Sequence, residues 1–376
     1  MTHSASDRIE ELDRLAHDVI ARHAAEVDKQ GLFPRATIDA LAAAGFLGAI
    51  SATEVGGWGF QPGFAARVIE RVARECGSSA MVLCMHYSGT AVLEAYAPEQ
   101  IRREAAAGTH LSTLAFSEAG SRSHFWAPVS TAKRGPDGVT LDASKSWVTS
   151  AKHATAYVWS SQPVEAEGAS TIWLVPANAQ GLSVAGPFDG LGLRGNDSSP
   201  VAAQNVVVPE TARLGDDGAG FAIMMQTVLP LFNLLNAACS VGFMQAACER
   251  TAAHVGGTRY GYSGDSLADL PTIRNYVARM RVETDMARAL LFDAVDAVES
   301  GRQDVMLRVL ESKAAAGETA TRVLDLAMRV CGGAAFRKDV GVERYFRDAR
   351  AAGVMAPTTD VLYDFIGKAV CGLDLF

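Results

Sequence analysis

The sequence predicts an α+β protein in which a β-rich middle segment separates two helical segments. Apolar residues recur at intervals of three and four over residues 6–108, and Ala-, Leu- and Val-rich helical patterns return over residues 219–372. Between them, residues 111–214 contain alternating and β-branched runs bounded by Gly and Pro. These observations predict an N-terminal all-helical domain at 1–110, a middle β-barrel or β-sandwich domain at 111–215, and a C-terminal four-helix bundle at 216–376.

Size and composition restrict the class further. The chain has 376 residues, and single hydrophobic cores stop growing at about 250–300 residues, so subdivision into domains is expected. A net charge of −8 argues against a nucleic-acid or anionic-membrane partner. No apolar run approaches the ~20 residues of a spanning helix, and the N-terminus lacks the apolar core of a signal peptide. We therefore expect a cytoplasmic protein with no membrane partner.

In the N-terminal segment, two stretches carry the helical pattern most clearly. They are DRIEELDRLAHDVIARHAAEV at 7–27 and ATIDALAAAGFLGAI at 36–50. Three glycines, Gly56, Gly57 and Gly59, interrupt this layer, so a loop is predicted there.

The middle segment contains four clear strand patterns and one misleading motif. The strand patterns are GVTLDASKSWVTS, ATAYVWSS, STIWLVPA and QNVVVPE. The stretch Gly190–Gly195 matches GxGxxG, which binds a dinucleotide only between a strand and the N-terminus of a helix. No helical pattern follows this copy, so we do not predict a nucleotide site here.

The C-terminal helical patterns are interrupted twice, by the polar stretch at 256–271 and by Gly332-Gly333. The six cysteines form no CxxC pair and most lie in apolar stretches, which is typical of reduced core residues. The eight histidines form no cluster with metal-ligand spacing, so no metal is expected.

Five ordered blocks of sequence carry a family resemblance. The chain resembles the acyl-CoA dehydrogenases, whose patterns include E-P-G-x-G-S-D, K-x-W-I-T-N, R-x-x-F-G and a C-terminal RDA-(x)6-E-G-T. The five blocks are PRATIDALAAAGFLGAISATEVGGWG at 34–59, AFSEAGSRSH at 115–124, KSWVTSAKHA at 145–154, LGLRGNDSSPVAAQNVVVPE at 191–210 and GGTRYGYS at 256–263. The C-terminal run CGGAAF…GVERYFRDARAAGVMAPTTD at 331–360 adds to them.

The resemblance implies an FAD site between layers and between subunits. Ser117 and Thr149 would bond the edge of the isoalloxazine ring, Trp147 would pack on the ring, and Ser123 would face the pyrophosphate. Each side chain also has a purely structural alternative, such as a strand-end hydroxyl or a core aromatic. The full set expected to contact FAD is Phe116, Ser117, Ser123, Trp147, Thr149, Arg259, Tyr262, Gly332, Gly333 and Thr358.

Part of this site would belong to a neighbouring subunit. The resemblance implies that Arg259, Tyr262, Gly332 and Gly333 reach the FAD of a neighbour, with Thr358 closing the site. A homodimer or homotetramer is therefore expected. The structural alternatives are a solvated charge for Arg259 and a helix C-cap for the two glycines.

The catalytic carboxylate of the family is missing. Arg347 and Asp348 set the register of the C-terminal pattern, which places Ala356 at the family's catalytic Glu. Some members take the base from a second position, and VGFMQ at 241–245 places Phe232 there and Asn233 at the adjacent Arg. Removing a proton α to a thioester needs a desolvated carboxylate, and neither position supplies one.

Other residues are candidates for a relocated base and for the substrate pocket. His124 replaces the Asp of the GSD pattern and Asp360 begins the last helix, so these two are the candidate bases. For Asp360 the alternative is a helix N-cap or first-turn carboxylate. The expected substrate pocket comprises His86, Phe125, Trp126, Phe232, Asn233, Met355 and Ala356. For His86 the alternative is a core histidine whose hydrogen bonds are satisfied within the fold.

These departures favour an FAD-dependent oxygenase over a dehydrogenase. The expected reaction is O2-dependent oxygenation of a cyclic or aromatic acyl thioester or a related small molecule. An acyl-CoA or acyl-carrier-protein dehydrogenase with a relocated base is the alternative, and a non-catalytic flavin-binding scaffold is the second. The expected partners are a small-molecule substrate such as a CoA thioester and a flavin reductase or electron-transfer protein.

Overall fold

The computed structural model describes residues 4–375 and confirms the predicted fold class. Six helices come first, with a π-helical turn between the first two. Ser4 starts the first helix with a capping box, in which its Oγ accepts from the Asp7 amide and its own amide donates to the Asp7 carboxylate. The helices are α1 Ala5–Leu15, α2 Ala21–Gln30, α3 Arg35–Ala43, α4 Pro62–Ala73, α5 Gly77–Tyr96 and α6 Glu99–Ala106.

Two four-stranded sheets form the middle domain. One has the order β1-β4-β5-β8 and the other β2-β3-β7-β6. Tyr157, Trp159 and Trp173 are fully buried with the apolar residues of β3 and β7, so the sheets share one core. The strands are β1 Ser112–Ala115, β2 Thr131–Gly135, β3 Gly138–Val148, β4 Ala156–Ser161, β5 Thr171–Pro176, β6 Leu182–Val184, β7 Ser199–Val208 and β8 Arg213–Leu214.

The C-terminal domain is helical and is built around one central helix, α8. It packs against α9, α10, α4 and α5, which connects the two helical domains into one core. The helices are α7 Gly220–Ile223, α8 Leu229–Gly257, α9 Pro271–Ser300, α10 Val305–Cys331, α11 Val342–Val354 and α12 Thr359–Val370.

The helical region Gly220–Gly257 is long and apolar enough to cross a membrane by length and composition alone. The expectation that no apolar run has this length is therefore wrong. Within the fold, 89% of the most apolar window of this region is buried. Its composition is accounted for by its place at the centre of the helical core, where it has neighbours on several sides.

The GxGxxG stretch joins the β domain to both helical domains, and β7 rather than a helix follows it. The amide of Leu193 donates to the buried Asp348 carboxylate of α11 at 2.6 Å, and the amide of Gly195 donates to Ser78 Oγ of α5 at 3.0 Å. A Cβ at Gly192 would lie 2.5 Å from the backbone of α11, so only glycine fits there. The glycines of this loop allow close packing between domains.

Candidate active site

A cavity of about 810 Å³ lies between the β domain and the C-terminal helices. The β domain supplies Phe116, Ser117, Trp147 and Thr149 to one side, which we call the β wall. The helices supply Phe232, Met355 and Ala356 to the other, which we call the helical wall. The loop 119–128 and the loop 188–198 contribute to its rim. A volume of this order is typical of sites for small organic ligands and cofactors.

Trp147 dominates the β wall. Its side chain is 69% exposed, although most large apolar residues of this domain are buried. The pairing of β3 with β7 is shifted between Lys145 and Val148, and Trp147 has a φ of +58° inside this bulge. A bulge redirects a side chain out of the normal alternation. The sequence therefore holds a flat aromatic surface on the cavity wall.

Hydroxyl and amide groups surround this aromatic surface. Thr149 Oγ1 lies 3.1 Å from Ser198 Oγ, and both residues line the cavity. Asn196 also lines the cavity, and its buried Oδ1 has no hydrogen-bond partner within residues 4–375. A buried unpaired acceptor costs about 1–3 kcal/mol unless a ligand satisfies it. A flat aromatic face with nearby hydroxyls and a free acceptor fits a planar, hydrogen-bonding ring system such as isoalloxazine.

A buried ion pair supports the rim loop beside the β wall. Lys145 Nζ donates to the Glu118 carboxylate, to Ser160 O at 2.7 Å and to Ser160 Oγ at 3.0 Å. The other Glu118 oxygen accepts from the amides of Val129 and Ser130 at 2.7 and 3.1 Å. Both ends of the loop that carries Arg122, Ser123 and Phe125 are thereby fixed.

The helical wall is apolar where the family has its base. Phe232 on α8 and Ala356 after α11 line the same cavity, together with Met355. The two positions that sequence register assigned to a carboxylate thus face one space, and neither carries an ionisable group. Amide Nδ2 of Asn236 donates to Met355 Sδ at 3.4 Å behind this wall.

The ionisable side chains that line the cavity within the described part of the chain are Glu118, Arg122, Asp189, Arg347 and Arg350. Burial opposes ionisation of Glu118, but the charge of Lys145 and three hydrogen bonds, from Lys145, Ser130 and Val129, lower its pKa overall. The Asp189 carboxylate is 87% exposed and lies 3.4 Å from Arg194. Neither carboxylate is therefore a desolvated base of the kind that α-proton removal needs.

Two of the three arginines have carboxylate partners. Arg347 donates to Asp28 at 2.6 Å and to Glu343 at 2.7 Å, and Arg350 donates to Asp325 at 2.7 Å. The Arg122 side chain has no ion pair or hydrogen bond within residues 4–375, although its amide donates to Glu118 O at 3.1 Å. Its φ is +48°, a conformation that costs a non-glycine residue about 1–2 kcal/mol. The rim therefore presents one uncompensated positive charge to the cavity.

His86 does not line the cavity, so its assignment to the substrate pocket is wrong. It is fully buried on α5, where Nδ1 accepts from the Ser112 amide at 3.1 Å and Nε2 contacts Leu47 O at 3.0 Å. Burial is the main cause that lowers the pKa of His86 to about 4. This histidine is a neutral core residue whose two ring nitrogens are both occupied.

His124, Trp126 and Asp360 lie in a different place from the one that the sequence predicts. They line a second, open depression with Phe365 and Lys368, outside the main cavity. Phe125 lines the main cavity, and its ring centroid lies 5.2 Å from that of Trp126, which lines the depression. Neither candidate base therefore reaches the cavity in this structure.

The remaining predicted residues lie near the cavity or on the distant surface. Asn233 follows Phe232 on α8, is completely buried, and has both amide atoms unpaired, but it does not line the cavity. Thr358 is the N-cap residue of α12 and does not line it either. Arg259, Tyr262, Gly332 and Gly333 are exposed outside the cavity, with Tyr262 88% exposed. Exposure is what contact with a neighbour's cofactor requires, so that role stays a prediction.

Sequence reasoning missed Asn196 and Lys313. Asn196 lies in the block LGLRGNDSSPVAAQNVVVPE, which resembles the family segment that closes the β domain, but no role was predicted for it. Lys313 is a fully buried lysine on α10 behind the helical wall. It stands in phase with the buried Val309, Ala316 and Ala320, so a charged residue on an apolar helix face was the available signal.

Profiles of three domains of one family match almost the whole chain. "Acyl-CoA dehydrogenase, N-terminal domain" matches residues 5–108, the "middle domain" matches 113–206, and the "C-terminal domain" matches 218–371. The chain is 28% identical over 350 residues to the probable acyl-CoA dehydrogenase YngJ of Bacillus subtilis, which covers 91% of each chain. It is 28% identical over 359 residues to cyclohex-1-ene-1-carbonyl-CoA dehydrogenase of Geobacter metallireducens, which covers 93% of each.

Solved structures share the whole fold. Butyryl-CoA dehydrogenase from Megasphaera elsdenii superposes with a TM-score of 0.90 at 23% identity, over 99% of this chain and 100% of that one. The FAD complex of PigA gives 0.90 at 20% identity, over 99% and 98%. The prolyl acyl carrier protein oxidase AnaB gives 0.85 at 18% identity, over 96% and 98%. At these identities the likeness establishes the fold.

Proposed function

The chain belongs to the acyl-CoA dehydrogenase family and is an FAD-dependent oxidoreductase, and from this premise we propose that it oxygenates an acyl thioester with O2. One observation carries the proposal: the cavity contains no uncommitted carboxylate on its helical wall. Ala356 and Phe232 occupy the positions from which family members remove the α proton, and both are apolar.

The residues of the β wall support the binding of FAD there. Trp147 offers the face for the ring, Ser117 and Thr149 offer hydroxyls for its polar edge, and Asn196 Oδ1 offers an unpaired acceptor. When bound, FAD supplies two-electron redox chemistry and, in its reduced form, reactivity toward O2. The sequence-based prediction of FAD as the cofactor is confirmed by the family and its FAD-bound structural neighbours.

The helical wall, together with Phe125 of the rim loop, excludes water from the cavity. Phe125, Phe232 and Met355 are apolar side chains on the cavity surface, and Phe125 and Phe232 are almost fully buried. An apolar pocket prevents reactive oxygen species and substrates from meeting bulk water. Such a wall favours oxygen chemistry but provides nothing that accepts a proton from carbon.

The proposed oxygenation balances with an external reductant. One O2, two electrons and two protons are consumed, one oxygen atom enters the product, and the other leaves as water. A flavin reductase or an electron-transfer protein would supply the electrons. We place this reaction in the cytoplasm, as the sequence predicts.

The position of Arg122 favours a substrate that is carried by an anionic group. CoA and acyl carrier proteins both present a phosphorylated pantetheine chain, and an arginine without a carboxylate partner is suited to bind phosphate. Arg122 lines the cavity and is exposed, so we expect a carrier chain that enters beside it to meet its guanidinium. The acyl group would then lie deeper, toward Phe232 and Met355.

A dehydrogenase is the second candidate, favoured by the names of the curated relatives. It requires a base that enters the cavity in the bound state, and His124 and Asp360 would have to move past the Phe125–Trp126 pair to do so. A flavin-binding scaffold without turnover would keep FAD but act on no thioester.

One experiment separates these functions. The FAD-loaded protein is mixed anaerobically with butyryl-CoA and with a cyclic acyl-CoA, and the flavin absorbance is followed. The same thioesters are then incubated with a flavin reductase, NADH and 18O2, and products are analysed by mass spectrometry. We expect no rapid bleaching and one labelled oxygen atom in a product. Rapid anaerobic bleaching would identify a dehydrogenase, and neither signal with any thioester would identify a scaffold.

A further inference from the structure

Lys313 is a buried cation without a carboxylate partner. It lies on α10 and is 1% exposed. Its Nζ donates to three main-chain oxygens, those of Ala352 at 3.2 Å, Met355 at 3.0 Å and Pro357 at 2.7 Å. No acidic side chain of residues 4–375 lies within ion-pair distance of it.

These three carbonyls lie where α11 ends. The last carbonyls of a helix have no partner within the helix and carry partial negative charge. An ammonium has three donors, and here each donor meets one carbonyl of this turn. Lys313 therefore caps α11 from another helix and fixes the path of the chain from Ala352 to Pro357.

The same segment forms the helical wall. Met355 and Ala356 line the cavity, and the Lys313 ammonium lies 6.0 Å from the ring centroid of Phe232, which lines it too. Asn236 holds Met355 from the α8 side through its sulfur. The position of Met355 and Ala356 thus depends on one amine behind the wall and one amide beside it.

We infer that Lys313 is a positioning residue whose side-chain amine holds residues 352–357 in the shape that receives the acyl end of the substrate. The inference rests on the proposed function only in assigning the helical wall to the acyl group. The holding of the segment itself can be measured without substrate.

The protonation of Lys313 makes its hold on residues 352–357 depend on pH. Burial lowers the pKa of Lys313 to about 7, and the nearby Cys84 thiol of α5 acts in the opposite direction. From α8 the amine faces the Phe232 ring, and from α11 and the following turn it faces only main-chain oxygens. A neutral amine has two N–H donors, so above about pH 7 one carbonyl loses its donor. Opening of the segment to water would restore the ordinary, higher pKa of this amine, so protonation favours the open form, and the segment is held most firmly above about pH 7 although the neutral amine has one donor fewer.

The test measures backbone hydrogen exchange in FAD-loaded protein. Peptides that cover residues 352–358 are followed by mass spectrometry at pH 6 and pH 8.5, with correction for the intrinsic exchange rate. We expect protection in the wild type to be about tenfold lower at pH 6 than at pH 8.5, because protonation of an amine whose pKa is lower in the closed form favours opening. Lys313→Met should exchange fast at both pH values. Lys338→Met, which removes an exposed lysine, should behave as the wild type.

A binding measurement completes the test. Butyryl-CoA is titrated into the same proteins, and its affinity is read from the flavin spectrum. We expect weaker binding to Lys313→Met and loss of the pH dependence seen in the wild type. Equal protection of residues 352–358 at both pH values in the wild type would overturn the inference, even if Lys313→Met does not fold. Failure of oxygenation alone would leave these results unchanged and would concern the proposed function.

Discussion

Each wall of the cavity has a buried lysine behind it, and the two lysines are stabilised in different ways. Lys145 behind the β wall forms an ion pair with Glu118 and hydrogen bonds with Ser160. Lys313 behind the helical wall has only main-chain carbonyls. Burial lowers the pKa of Lys145 to about 8, with Glu118 acting against it, and that of Lys313 to about 7.

The different partners of the two lysines indicate how rigidly each wall is supported. The Lys145–Glu118 pair has two opposite charges, and Glu118 also holds both ends of the rim loop. The support of the helical wall depends on one amine that titrates near neutral pH. We therefore expect a rigid wall on the cofactor side and an adjustable one on the substrate side.

The largest effect is expected for Lys145→Met. It leaves the Glu118 carboxylate buried without a counter-charge, and breaking a buried pair in this way costs about 3–5 kcal/mol. The free energy of unfolding, measured by urea denaturation at pH 7, should fall by that amount. The double variant Lys145→Met with Glu118→Gln should recover part of it. A single variant as stable as the wild type would show that the pair does not support the β wall.

Ala356→Glu should give the helical wall the proton acceptor that it lacks. The cavity has room for the longer side chain, and a general base contributes about 10²–10⁴-fold to proton transfer. We expect anaerobic bleaching of the flavin by butyryl-CoA to become at least about 10²-fold faster. Ala356→Gln is the matched control and should not accelerate it. Equal rates in both variants would mean that position 356 does not face the α carbon.

Trp147→Ala should affect the β wall alone. Loss of the aromatic face removes stacking worth about 0.5–1.5 kcal/mol beyond buried area, so FAD affinity should fall about tenfold. Trp126→Ala removes a tryptophan outside the cavity and serves as the control. Fluorescence titration of the apoprotein with FAD measures both. Full FAD affinity in Trp147→Ala would contradict the assignment of the ring to this wall.

The smallest of these effects is expected for Arg122→Gln at the rim. A charge-assisted hydrogen bond to phosphate contributes about 1.5–3 kcal/mol, and exposure at the rim reduces this. We expect the dissociation constant of butyryl-CoA to rise about fivefold while FAD affinity is unchanged. Arg134→Gln removes an exposed arginine of β2 and is the control. Loss of FAD instead would assign the arginine to the cofactor's diphosphate.

The β wall could be predicted from the sequence better than the rest of the site. Trp147 lies in β3, Thr149 follows β3 directly and Ser117 lies two residues beyond β1, so each belongs to a short local motif at the end of a strand. His124 and Asp360 were placed wrongly because the direction of a loop side chain depends on its packing. Here they line the open depression with Trp126 rather than the cavity, and no spacing in the sequence shows this.

For the helical wall, the sequence predicted that Ala356 and Phe232 line the pocket, but not the buried Lys313 that supports them. Ala356 and Phe232 lie 124 positions apart in the chain and face one space because α8 and α11 pack together. The same packing buries Lys313 beneath the α11 terminus, a contact between distant segments that no local pattern reports. His86 was assigned to the pocket from its apolar surroundings, which in fact reflect a core position.

The glycine-rich loop that resembles a nucleotide motif has a consequence for unfolding. It connects the β domain to α5 through Gly195 and Ser78, and to α11 through Leu193 and the buried Asp348. The β domain therefore cannot separate from either helical domain without exposing a buried carboxylate and breaking these bonds. We expect the three domains to unfold as one cooperative unit with a single transition, although each has its own secondary structure.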